Sequence, residues 1–64
     1  MILDREKLTR KIEKNFYTNI TLAQAAKISA TTVNKARNGY DIRPTTLKKL
    51  CTALHCEAKD ITAD

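Results

Sequence analysis

Apolar positions recur along this chain at helical rather than strand spacing. Leu8 and Ile12 stand four apart in an otherwise charged stretch, Asp4 to Asn15, with Asp4 placed to cap a first helix. Leu22, Ala23 and Ala26 make a second one-sided stripe behind a Thr18 cap. Ser29 then opens a third segment, Ala30 to Arg37, which is poor in apolar residues. At about 100° per residue, Val33 and Ala36 point one way with Ala30 nearby, and Thr31, Asn34, Lys35 and Asn38 crowd the other side. Gly39 is a natural stop for this helix. Pro44 disfavours helical geometry at Arg43, so Thr45 is expected to cap a fourth helix, Thr46 to Leu54. Its Leu47, Leu50, Cys51 and Leu54 follow i, i+3, i+4, i+7. A short turn from Glu57 to Ile61 is expected to fold Ile61 back onto that helix. Phe16 and Tyr17 are expected to close the core between the first two helices, a stronger reading for Tyr17 than a hydroxyl turned to a phosphate.

The expected fold is therefore all-α: one compact domain, residues 1–64, of four helices and a short fifth turn, with no repeats, linkers or low-complexity tracts. A 64-residue chain has little interior to spare, since a domain of this size buries only about 60% of its unfolded surface. At 42% hydrophobic residues it is not composed like a disordered tail; with no Trp, one Phe and two Tyr, its core must come from Leu, Ile, Val and Ala. No apolar run approaches the roughly 20 residues of a membrane span, and the charged start MILDREKL does not read as a secretory signal, so the cytosol is the expected compartment.

Charge sharpens the picture of the third helix. The formal net charge is +5, and residues 17–43 carry four basic side chains against one acidic, while residues 44–64 carry three of each. No Asp or Glu occurs between Lys14 and Asp41. A polar helix face in an acid-free segment suits a polyanion: Thr, Asn and Lys side chains match base edges and phosphates, whereas a merely solvated face usually mixes in carboxylates.

Other chemistry fares less well. Cys51 and His55 are i, i+4 neighbours and Cys56 follows, but a zinc site lacks a fourth ligand, and Cys51 falls on the apolar stripe, as a small buried thiol would. A disulfide between residues five apart around a helix end is disfavoured by geometry and by a reducing compartment. A single His, with no paired carboxylates and no glycine-rich phosphate loop, leaves no reaction to assign, so neither enzymatic activity nor a cofactor is expected.

Leu22-Ala23, Ala26, Ile28-Ser29, Val33 and Asn38-Gly39 stand at the spacing of the helix-turn-helix of phage-repressor (Cro-like) and lactose-repressor-type proteins, and the run from Arg43-Pro44 to His55-Cys56 resembles the fourth helix of the Cro-like group. The likeness covers nearly the whole chain and implies a lambda-repressor-like DNA-binding fold. Lys27 departs from it, standing where the family usually has Gly, which implies roughly 1 kcal/mol of strain or an altered turn. Carried over residue by residue, the resemblance puts Ser29, Ala30, Thr31 and Lys35 at base edges. It puts Asn19, Thr32 and Asn38 at backbone phosphates, and Tyr40 and Arg43 where related loops approach the backbone or minor groove. The helical wheel adds Asn34 to the base-facing set.

The expected function is sequence-specific double-stranded DNA binding by a small transcriptional regulator, a repressor of phage or mobile-element type. An antitoxin with a toxin partner, or a helical protein-interaction module, are the alternatives. RNA is disfavoured because the third helix lacks exposed aromatics for stacking. A homodimer, at least on DNA, is expected because one small recognition surface supplies modest specificity, with Leu54, Cys56 or Ile61 near the contact.

Overall fold

The computed structural model describes residues 2–63. Four helices follow in order: α1 (Arg5–Lys14), α2 (Asn19–Ala26), α3 (Ala30–Arg37) and α4 (Pro44–Leu54), then a 3-10 turn, Ala58–Asp60. The fold is all-α, as the periodicity implied. α2 packs against both α3 and α4, and α1 packs against α3.

Local chemistry starts each helix. Asp4 Oδ1 accepts from the Lys7 N–H at 3.0 Å, and α1 carries Glu6 in its first turn and Lys11 and Lys14 in its last, matching its dipole. Thr18 and Thr21 cap α2 reciprocally: the Thr21 N–H donates to Thr18 Oγ1 at 3.2 Å and the Thr18 N–H donates to Thr21 Oγ1 at 2.7 Å. Ser29 Oγ accepts from the Thr32 N–H at 3.1 Å and starts α3. For α4 the expected cap is corrected. Thr45 lies inside the helix; Arg43 occupies the cap position without a side-chain bond, and Pro44 is the first helical residue. The ring presets a helical φ and its missing N–H costs nothing in the first turn.

All four helices end in one way. A residue with left-handed backbone, Phe16 (φ 58°), Lys27 (58°), Gly39 (85°) or His55 (54°), follows the last turn. The next residue reaches five back: the N–H groups of Tyr17, Ile28, Tyr40 and Cys56 donate to the carbonyls of Ile12, Ala23, Lys35 and Cys51 at 3.0, 2.9, 3.1 and 3.1 Å. This is the Schellman arrangement, in which the left-handed residue projects outward while the one after it folds against the helix five positions back. Its consequence is visible in Phe16, which is 93% exposed, while Tyr17 packs on the core and donates its hydroxyl to the Ala53 carbonyl at 3.2 Å. Tyr17 closes the core as expected; Phe16 does not, because it holds the outward position. Asn15 joins Tyr17 in covering the end of α4, donating from Nδ2 to the Leu54 carbonyl at 3.3 Å.

The core runs from Leu3 to Ile61 through Leu8, Ile12, Leu22, Val33, Leu47, Leu50 and Leu54. Ala53 is buried where Cys51 was expected; Cys51 is half-buried, packed on the core beside Cys56. Leu54 and Ile61 are 2% and 0% exposed. Both are therefore spent inside the single chain and offer no dimer surface, which corrects the expectation drawn from their place near the chain's end. Unforeseen in the apolar pattern, Leu3 and Thr62 form an antiparallel bridge, with the Asp4 N–H donating to the Ile61 carbonyl at 2.8 Å and the Ala63 N–H to the Ile2 carbonyl at 3.3 Å.

The α4 cap also sets the two free thiols, both half-buried, on one surface at the end of the helix. Burial, and then the neighbouring Cys56, push the Cys51 thiol up to about 11; burial raises Cys56 as well. A folded state that holds this proton more tightly than the unfolded chain is stabilised fully below an ordinary thiol's 9.0 and loses that contribution as pH climbs toward about 11. Relative to a Cys51→Val variant, which cannot titrate there, the wild-type melting temperature should fall between about pH 9 and about pH 11. Parallel melts across that window would be the check, and an unchanging gap would contradict the shift.

Lys27 takes the left-handed turn rather than altering it, so the strain expected of a residue with a Cβ is present. Lys27→Gly should stabilise the fold by about 0.5–1 kcal/mol net of the glycine's extra unfolded-state entropy, raising Tm by about 2–8 °C for a domain this small. Thermal unfolding of the two proteins measures it.

Candidate nucleic-acid interface

α3 is fixed from beneath by few groups. Val33 and Ala36 are buried, and Arg37, one turn beyond Val33, extends to α2, donating from Nη1 to Asn19 Oδ1 at 2.6 Å. That bond ties the C-terminal end of α3 to the start of α2. Arg37 went unremarked in the sequence, although its i, i+4 relation to Val33 placed it on the inward side of the wheel.

Most of the rest of α3 faces out. Ala30, Thr31, Asn34 and Lys35 are exposed, with Ser29 exposed at the cap. Ala30, one turn before Val33, is thus exposed rather than buried with it. Thr32 is half-buried, its hydroxyl 2.8 Å from Ser29 Oγ. The structure brings Thr32, Lys35 and Arg43 into one concave surface of about 370 Å³ between α3 and the start of α4, together with Asp41, Ile42 and Thr46. Arg43 stands at the uncapped N-terminus of α4, where the helix dipole adds positive potential. Asp41 sets one carboxylate in that groove, on the loop rather than on the helix face.

Of the remaining expected contacts, Asn19 is half-buried with its oxygen taken by Arg37, which leaves its Nδ2 hydrogens for an anion. Tyr40 is 60% exposed and its backbone N–H closes the α3 cap on Lys35. Asn38, expected at a phosphate, is exposed but donates from Nδ2 to the Asn34 carbonyl at 2.8 Å and to Asn34 Oδ1 at 3.2 Å. Those two bonds use both of its amide hydrogens, so meeting a phosphate requires opening them.

Among the described residues no group of three or more His, Cys, Asp or Glu side chains is arranged to hold a metal ion, and no helix is long and apolar enough to cross a membrane.

Two helices joined by a tight left-handed turn, the second carrying an exposed polar face, define a helix-turn-helix. The model of the Cro/C1-type HTH DNA-binding domain matches residues 7–63, and the chain belongs to that family. No curated protein matches the chain. Among solved structures, a mutant of hydroxyethylphosphonate dioxygenase is similar with a TM-score of 0.85 at 23% identity. The match covers 100% of this chain and 14% of that one, and the likeness is one of fold alone.

Because Val33 and Ala36 are the buried side chains that seat α3, Val33→Asp should unfold the domain, costing on the order of 3–5 kcal/mol for an unpaired buried carboxylate, comparable with the whole stability of a small fold. A cooperative melt near that of the wild type would show that α3 faces the other way.

Proposed function

We propose that the chain is one domain that binds double-stranded DNA sequence-specifically as a small transcriptional regulator, laying α3 in the major groove. The observation that carries this is the outer face of α3, where Ala30, Thr31, Asn34 and Lys35 stand exposed with no carboxylate among them, on the second helix of a Cro/C1-type unit. In this reading Ser29, Ala30, Thr31, Asn34 and Lys35 meet base edges, Ala30 supplying only a methyl for thymine. Asn19, Thr32, Tyr40 and Arg43 hold the phosphates on either side, joined by Asn38 where its internal pair opens. Occupation of an operator would make the regulator a repressor, of phage or mobile-element type, binding rather than catalysing. Two copies on a two-part site would supply the affinity that one short helix cannot.

Titration of duplex DNA at two salt concentrations tests the class of partner, since phosphate contacts release counterions and give a steep salt slope. A flat response would favour a protein partner instead. Lys35→Ala should cost about 1–3 kcal/mol on the best site, flatten preference at one base pair and reduce the salt slope by about one. Binding arrays on the variant at both salt concentrations would report all three, and an intact base preference would turn α3 away from the groove.

A further inference from the structure

We infer that α1 carries a second surface for duplex DNA, set apart from α3, which grips phosphates without reading sequence and lets one copy of the chain bridge two DNA segments; the bridging rests on the α3 reading above. Lys7, Arg10, Lys11 and Lys14 stand at i, i+3, i+4 and i+7, one continuous row along the helix. Lys59 joins them across a groove of about 360 Å³. Among the described residues, none of these cations of α1 has a carboxylate within ion-pair distance. Lys59 meets Glu57 at 3.3 Å, both largely in water, where such a pair is easily exchanged. One carboxylate lines the groove, Asp60, and its Oδ2 already accepts from the Glu57 N–H at 2.9 Å. The acidic side chains within α1, Glu6 and Glu13, line a different surface with Arg5, Thr9 and Arg10.

The row lies at the far end of α4 from the groove beside α3. Arg43, which lines that groove, stands just before α4, whose 11 residues run about 16 Å. At the other end of α4 the Leu54 carbonyl accepts from Asn15, the residue after Lys14, at 3.3 Å. Lys7 Nζ donates to the Thr62 carbonyl at 3.4 Å, and Lys59 belongs to the 3-10 turn that leads there. The two grooves share no residue. A duplex held by α3 and Arg43 therefore has its cations about one helix length away from this row.

What fits the row is set by what its groove lacks. No apolar or aromatic side chain lines it, and Phe16, two residues beyond Lys14, is not part of it. A protein partner wants an apolar anchor at the centre of its contact, a single strand wants rings to stack on, and a helix lying on a membrane inserts an apolar flank. Phosphates ask only for charge. Lys7 and Lys14 are two helical turns apart, about 10 Å, which spans about three phosphates of one strand at about 3.4 Å each.

A sandwich assay tests the bridge. Arg10, Lys14 and Lys59 are exposed, so a variant with Arg10→Gln, Lys14→Gln and Lys59→Gln leaves the core untouched, and a cooperative melt accompanies it. Wild type bound to an immobilised duplex of its selected site should capture a second, fluorescent duplex of unrelated sequence, and rising salt should weaken the capture. The Gln variant should lose capture by about tenfold or more while its base preference is unchanged and its affinity for a single duplex stays within about twofold. A charge-keeping variant, Arg10→Lys with Lys14→Arg and Lys59→Arg, should capture as the wild type does. No capture by the wild type, capture that survives in the Gln variant, or a matching loss of single-duplex affinity overturns the inference and leaves the α3 reading standing. So does capture of a polyglutamate peptide or an anionic vesicle in preference to the second duplex. If instead Lys35→Ala leaves single-duplex affinity and base preference intact, the α3 reading fails and the bridge with it.

Discussion

Each helix of this protein is stopped by one residue turned into left-handed backbone, and the architecture follows from those four reversals. Between α1 and α2 and between α2 and α3 only a few residues intervene, so the segment that ends one helix must also aim the next. The Schellman geometry does both, because the six-to-one hydrogen bond folds the following residue onto the helix just completed. Tyr17, Ile28 and Cys56 reach the core by this route. At the end of α3 the same geometry sets Tyr40 beside Lys35 on the outer surface instead. Only one of the four stops is a glycine, so Phe16, Lys27 and His55 hold a backbone that costs each of them roughly 1–2 kcal/mol, offset by the packing it permits.

That cost explains what could and could not be read from the sequence. Asp4, Thr18 and Ser29 announce helix starts by their chemistry, and the spacing of Leu8 with Ile12 and of Leu22, Ala23 and Ala26 gives the buried faces. Helix ends are quieter. Gly39 signals a left-handed residue, whereas nothing about Phe16 as a side chain says that its backbone will be left-handed and its ring in water. Two adjacent aromatics look alike in a linear pattern; only the position of the turn decides that Tyr17 goes in and Phe16 stays out. Thr45 misled for a related reason, since Pro44 competes for the same start and carries its φ ready-made.

Which side chains of α3 face outward was legible in the sequence, and how they are wired to one another was not. A helical wheel separates Val33 and Ala36 from Thr31, Asn34 and Lys35 without any coordinates, and the structure places them on those sides. It cannot say which end of an amide faces out, because that depends on partners such as Arg37 on Asn19, eighteen residues away, or Asn38 one turn along. Polar side chains on this surface are therefore not interchangeable bristles. Their donors and acceptors are sorted by contacts inside the protein before any ligand arrives.

The small bridge that pairs Leu3 with Thr62 sets the two flanks of the fold side by side. Entry and exit thus share one doorway, and the helices between form a closed circuit. A unit of that kind can be spliced into a loop of a larger host without prising the host's own flanking residues apart. Modularity of this sort is a property of where two backbones meet, and it belongs to the fold whatever the polar face of α3 recognises.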